Sequence, residues 1–253
     1  MQLESRSCSV PAPVADHMGV HSSPPVPETR SRTSLRYPAV LIVAIALVFT
    51  IGFSARDVGA IDVIFAPDTN GDDVGFFISH RLDGTGNPVI AYAAFVGGET
   101  VVRLMRCNDP RCAGNDESIQ PLTSGSFAVR AVSLALDGNG NPVVAVALSS
   151  GPATTTLRLI HCDDPNCVPA GNSVQNLALG AAFDFSDLVL DSAGRPVIAY
   201  WAGGVVRLLH CNDVNCAGNN ESIQDVDTTS VTAASISLAL DGSANPVLAY
   251  YRS

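Results

Sequence analysis

Six of the seven cysteines fall in three pairs of one spacing: Cys107 and Cys112, Cys162 and Cys167, Cys211 and Cys216. Cys-x4-Cys pairs can hold zinc, which needs four ligands gathered at one place. In an oxidising compartment they can instead close local disulfides. The pairs lie about 50 residues apart, and turn residues such as Asn108-Asp109-Pro110 fill the gap inside each. This pattern predicts three hairpin-stapling disulfides, with metal as the alternative.

Four residues before each pair stands an arginine: Arg103, Arg158 and Arg207. An arginine in mid-strand needs a carboxylate or carbonyl partner if it is buried. Asp109, Asp164 and Asp213 recur at one place and are the expected partners. If that strand instead faces a central axis, the three arginines make a cationic lining for a carboxylate or sulfate. With His80 and Arg81 they form the candidate ligand-binding set. The residue directly before each first cysteine is Arg106, His161 or His210. Recurrence at one repeat position predicts a structural duty for these histidines, and no catalytic residue is assigned.

Asp68-Thr-Asn70-Gly-Asp72-Asp73 offers oxygens at alternate positions, as a calcium loop does. It lacks the glycine at position six and an acidic residue at position twelve, which is Ser79. It reads as a solvated acidic turn, with calcium on Asp68, Asn70 and Asp72 as the alternative and no other cofactor expected. Other chemistries lack their residues. The chain has no Gly-x-Ser-x-Gly elbow, no His-Glu-x-x-His, no phosphate-binding Gly-x4-Gly-Lys and no lysine at all. From Ile61 onward 9 arginines face 20 acidic residues. That balance disfavours nucleic acid and anionic membrane surfaces as partners.

What positions these residues is a repeat. Leu-Asp-Gly-x-x-Asn-Pro-Val begins at Leu82, Leu136 and Leu240, with a looser copy at Leu190. The aspartates stand at 83, 137, 191 and 241, in steps of 54, 54 and 50. In one copy, Val132–Leu136 alternates as a strand, and Asp137-Gly-Asn-Gly-Asn141-Pro142 is turn chemistry. Val143–Leu148 is an apolar run covered on both faces, Thr155–His161 a third strand and Ser173–Leu177 a fourth. Four short strands per unit, repeated without a helix, predict an all-β, propeller-like fold of about four blades. The repeats run about 75–124, 127–179, 183–229 and 231–253, the last incomplete. Ile61–Phe65 is a spare fourth strand, expected to close the ring against Val247–Tyr251.

Residues 1–36 are rich in Pro and Ser and read as a disordered cytoplasmic leader. Tyr37–Phe53 is almost wholly apolar and follows Arg30, Arg32 and Arg36. Residues 37–60 therefore read as a single apolar helix, a signal peptide cleaved near Val58-Gly59-Ala60 or else an uncleaved anchor. Residues 61–253 form the exported repeat domain, secreted, periplasmic or held at the cell surface.

The joint phrases Asp-x-x-Gly-Asn-Pro-Val-Ile-Ala-Tyr and Arg-Leu-x-His-Cys-Asn-Asp-x-x-Cys resemble units of exported bacterial repeat proteins. The resemblance covers about residues 75–253, implies a propeller-like all-β fold and export, and carries no assigned activity. The first repeat departs from it at Ser79-His80-Arg81-Leu82, and the third at Asp187-Leu-Val-Leu190. The reading is a non-enzymatic exported module that binds or displays, its partner an extracellular protein or glycan. The alternatives are a propeller-scaffold enzyme of sialidase or lyase type, and a truncated gene product.

Overall fold

The computed structural model describes residues 5–7, 68, 73–123, 125–151, 154–180, 183–228 and 233–252. The chain divides into two compact units, Met1–Ser9 with Phe65–Ser253, and Val10–Ile64. Every described residue belongs to the first. The apolar run and Ile61–Phe65 lie outside the described residues, so neither the N-terminal helix nor closure by 61–65 is seen here. Among the described residues no helix is long and apolar enough to cross a membrane.

The described residues make antiparallel sheets joined by turns. The first sheet is β2(Asp73–Leu82), β3(Pro88–Val96), β4(Glu99–Arg106) and β5(Ser118–Thr123), in sequence order. The second is β6(Ala128–Leu136), β7(Pro142–Gly151), β8(Thr154–His161) and β9(Ser173–Gly180). The third is β10(Phe183–Leu190), β11(Pro196–Ala202), β12(Val205–His210) and β13(Ser222–Asp227). The fourth holds β14(Ala233–Leu240) and β15(Pro246–Arg252), and on the outer edge of β15 lies β1(Ser5–Ser7).

Each sheet is built from the same local rules. The repeated aspartate closes the first turn: Asp137 Oδ1 accepts the N–H groups of Asn139 and Asn141, both at 2.8 Å. Asp83, Asp191 and Asp241 do the same in their own turns. Gly140 sits there at φ 81°, where a side chain would be strained, yet Ala244 takes that place in the fourth turn at φ 63°. The proline that follows opens the second strand, where its missing N–H leaves no gap in the ladder. Gly97-Gly98 and Gly203-Gly204 turn the second strand into the third with both residues at positive φ, the geometry that suits a two-residue hairpin.

The sheets pack face to face through alternate residues of their middle strands. Val89, Ala91 and Ala93 of β3 meet Val144 and Val146 of β7 in one buried cluster with Leu104 and Ile160. Val143, Ala145 and Ala147 point the other way, into a cluster with Ile198, Tyr200 and Leu209. Val197 and Ala199 then meet Leu238 and Leu248. The small alanines let neighbouring sheets approach closely. Each fully buried leucine or valine here contributes about 1.5–3 kcal/mol relative to an exposed one. Thus β7, covered on both faces, is buried from Pro142 to Ser149. The outward face of the first sheet forms a cluster of its own around Tyr92 and Met105.

A second link joins the first strands of successive sheets. Ser79 Oγ accepts the N–H of Leu134 at 3.0 Å, and Ser133 Oγ accepts that of Leu188 at 2.9 Å. In the third repeat Asp187 replaces serine and keeps the bond, accepting the Leu238 N–H at 2.8 Å. This explains the missing serine of that repeat. His80 stands where Leu134, Leu188 and Leu238 stand, but those leucines are buried between sheets and His80 is exposed.

Candidate functional site

The cysteines pair locally, Cys107–Cys112, Cys162–Cys167 and Cys211–Cys216, with Cα–Cα separations of 4.9, 4.9 and 5.0 Å. The second cysteine of each is left-handed, at φ 49°, 55° and 51°. Such a residue costs about 1–2 kcal/mol outside glycine, so the covalent tie and local hydrogen bonds hold it. Asp109, Asp164 and Asp213 supply those bonds. Asp109 accepts the N–H groups of Arg111 and Ala113, Asp164 those of Asn166 and Val168, and Asp213 those of Asn215 and Ala217.

These aspartates are therefore loop caps and not the partners expected for the recurrent arginines. Arg103 Nη1 instead donates to Asp68 Oδ2 at 2.6 Å. Arg158 Nε reaches Asn176 Oδ1 at 3.0 Å, and Arg207 Nε reaches Asp225 Oδ1 at 2.7 Å. Each arginine serves its own sheet or the segment before it, and no shared cationic lining follows from these contacts. Asp68 is buried and also accepts from the Tyr92 hydroxyl. That contact, after burial, raises the Tyr92 pKa well above its ordinary value. Asp68 is thus engaged as an ion-pair partner, while Asn70 and Asp72 of the candidate calcium loop lie outside the described residues. His80 and Arg81 sit exposed on β2, and Arg81 Nη1 donates to the His80 carbonyl.

Two of the three residues before the first cysteines, Arg106 and His161, have a double role. Arg106 donates to Asp83 Oδ2 at 2.7 Å and to the Pro165 carbonyl at 3.3 Å. His161 bonds to Asp137 Oδ2 at 3.3 Å and to the Val214 carbonyl at 3.0 Å. Pro165 and Val214 occupy the same place in the next disulfide loop. One side chain therefore ties its own first turn to the neighbouring repeat. His210 bonds to Asp191 Oδ2 at 3.0 Å. Both partners of His161 are acceptors, so one neutral imidazole can donate to only one of them at a time.

The carboxylates respond. Burial alone would raise Asp137, but the N–H groups of Asn141 and Asn139 and the His161 ring outweigh it, and the group is held below its ordinary 3.8. Burial opposes Asp191 too, yet Arg195, His210 and the Ala193 N–H hold it lower still. The Thr85 hydroxyl leads in lowering Asp83, and Asn245 leads for Asp241. These four are anionic acceptors, the opposite of a carboxyl kept protonated to act as a general acid.

Around His161 opens a polar cleft of about 480 Å³ between the second and third sheets. Asn139 and Asn141 line it from the first turn, Asp163 and Ser173 from the disulfide loop and β9, and Asn215 from the next repeat's loop. Gly171 borders it at φ 104°, and a Cβ there would stand 2.0 Å from Asp163 Oδ2. The positive φ favours glycine there, whereas the Asp163 carboxylate ends a flexible side chain that can turn aside. Asn139, Asp163 and Asn215 were not among the residues expected to bind. The signal was present in the recurrence of an aspartate in every first turn with Arg or His ahead of each cysteine, since those two places form the cleft floor.

No protein-family model matches the chain, and no curated protein matches it. Among solved structures it is similar to the endo-arabinase from Bacteroides thetaiotaomicron VPI-5482, at 11% identity over 74% of each chain with a TM-score of 0.47.

Proposed function

We infer that the chain is an exported, propeller-like, non-enzymatic module that binds an extracellular glycan in the cleft between its second and third repeats. The observation that carries this reading is the lining of that cleft: Asn139, Asn141, Ser173 and Asn215 present uncharged donors and acceptors around Asp163 and His161. Such groups suit a ligand dense in hydroxyls, which both donates and accepts. Three disulfides agree with an oxidising compartment and so support export. Sheets linked in series through their innermost strands support the propeller-like arrangement.

The test is calorimetric titration of the full chain with neutral oligosaccharides chosen from a glycan-array screen. Saturable binding, weakened about tenfold by Asn139→Ala or Asn215→Ala, is the expected result, each lost hydrogen bond contributing about 1 kcal/mol or more in a desolvated cleft. Absence of any glycan binding, or binding indifferent to both substitutions, overturns the assignment. Shorter sugar products by chromatography would put a propeller-scaffold glycosidase or lyase in its place.

A further inference from the structure

The cleft between the second and third sheets is lined by residues that depart from the repeat. Asp163, directly after Cys162, stands where the first and third repeats carry Asn108 and Asn212. Gly171 stands where they carry Asp116 and Asn220. Both departures border the same cleft. The first puts a carboxylate at the rim in place of a neutral amide. The second removes a side chain beside it. The two meet in space, since the Asp163 carboxylate occupies the volume that a Cβ on Gly171 would take.

Two polar groups of this cleft are left free by the fold. Asp163 is exposed, and among the described residues no hydrogen bond or ion pair engages its carboxylate. Only its N–H is used, donating to Asn172 Oδ1 at 3.3 Å. The neighbouring Asp164, by contrast, is spent on the N–H groups of Asn166 and Val168. The second group is the Asn141 amide, whose side chain makes no bond among the described residues. Its counterparts are all engaged: Asn87 Nδ2 donates to the Asn108 carbonyl at 3.1 Å, Arg195 Nε to Asp191 Oδ2 at 2.8 Å and Asn245 Nδ2 to Asp241 Oδ2 at 3.1 Å. The lining residues include no arginine. Asp137 is already met by His161 and by main-chain N–H groups, so Asp163 carries the unspent charge of the cleft.

We propose that this cleft selects a glycan bearing a free amino group, with Asp163 as the residue that sets the specificity. The inference rests on the glycan reading above and narrows it. The ammonium of an amino sugar pairs with the Asp163 carboxylate in a charge-assisted hydrogen bond. A neighbouring ring hydroxyl meets the Asn141 amide, which can both donate and accept. Acetylation of the sugar nitrogen removes the charge and with it the pairing. A uronic acid is disfavoured, because its carboxylate would meet Asp163 and Asp137. The pair lies at an exposed rim, so it contributes selectivity more than affinity.

The probes are two oligosaccharides of equal length, a glucosamine tetramer and its fully N-acetylated counterpart. Each is titrated into the full chain by calorimetry in one mildly acidic buffer, where the free amines are protonated. The glucosamine tetramer should bind about three- to fivefold tighter, the range of an exposed ion pair. Added salt should shrink that preference. Asp163→Asn, which restores the residue of the sibling repeats, should bring the two affinities together. Its melting temperature should match that of the wild type, because the Asp163 carboxylate holds no part of the fold, so a lost preference cannot be laid to misfolding. Equal wild-type affinity for the two tetramers, or a preference that survives Asp163→Asn, overturns the selectivity and leaves the glycan cleft standing. Binding of neither tetramer overturns it as well, and the glycan-array screen then decides separately whether the cleft takes any glycan.

Discussion

His161 reaches the carbonyl oxygen of Val214 at 3.0 Å, across the boundary between two repeats, while its other ring nitrogen holds Asp137. One side chain thereby couples a turn, a disulfide loop and an inter-sheet contact. His161→Ala leaves a mostly buried carboxylate and a carbonyl without that partner. It should destabilise the fold by about 1–3 kcal/mol. His210→Ala, at a more exposed position, should cost less than half of that. Urea midpoints of the two variants compare them directly, and equal losses would contradict the double role.

Acid should weaken the fold. Asp137 and Asp191 are held below their ordinary value in the folded chain, so each contributes stability that is fully present above the unfolded value of 3.8. That contribution is lost as pH falls through the lowered folded values. The urea midpoint should therefore hold between pH 7 and 5 and drop steadily below pH 4. A double Asp137→Asn, Asp191→Asn variant, less stable at pH 7, should show a flatter acid limb. An acid limb as steep as that of the wild type would remove these two groups as its cause.

Gly171→Ala places a methyl group against the Asp163 carboxylate at a positive φ. The expected cost is about 1–3 kcal/mol, read from thermal melting. Gly138→Ala, where a Cβ meets nothing within 4 Å, serves as the control and should be near neutral.

Each disulfide closes a short loop, so each should stabilise modestly, at or below about 3 kcal/mol. Replacing Cys162 and Cys167 together by serine should lower the melting temperature and also release the left-handed residue at 167. Non-reducing peptide mapping of exported protein should find the three local pairs, and free thiols there would contradict them.

Strands and staples were legible because they are local. Val143–Leu148 read as a doubly covered strand, and β7 spans Pro142–Gly151. The histidines before the cysteines read as structural, and their bonds to Asp137 and Asp191 fit that reading. Partners set by the third dimension were not legible. Sequence spacing offers Arg103 the carboxylate of Asp109, six residues away, but Asp109 is consumed by the N–H groups of its own loop, and Arg103 turns to Asp68, 35 residues back. Ser5-Arg6-Ser7 carries no strand signal at all; the open edge of β15, and not its own sequence, places it.

The bonds to main-chain N–H groups between the first strands of successive sheets run one way, from a side-chain acceptor in one repeat to a main-chain donor in the next. The two ends of the array are therefore not equivalent. Shortening it from the C-terminal side uncovers a hydroxyl or carboxylate that water satisfies at once. Shortening it from the N-terminal side strips the acceptor from a buried N–H, which water reaches poorly. A polypeptide emerging N-terminus first thus lays down each acceptor before the main-chain donor that needs it arrives.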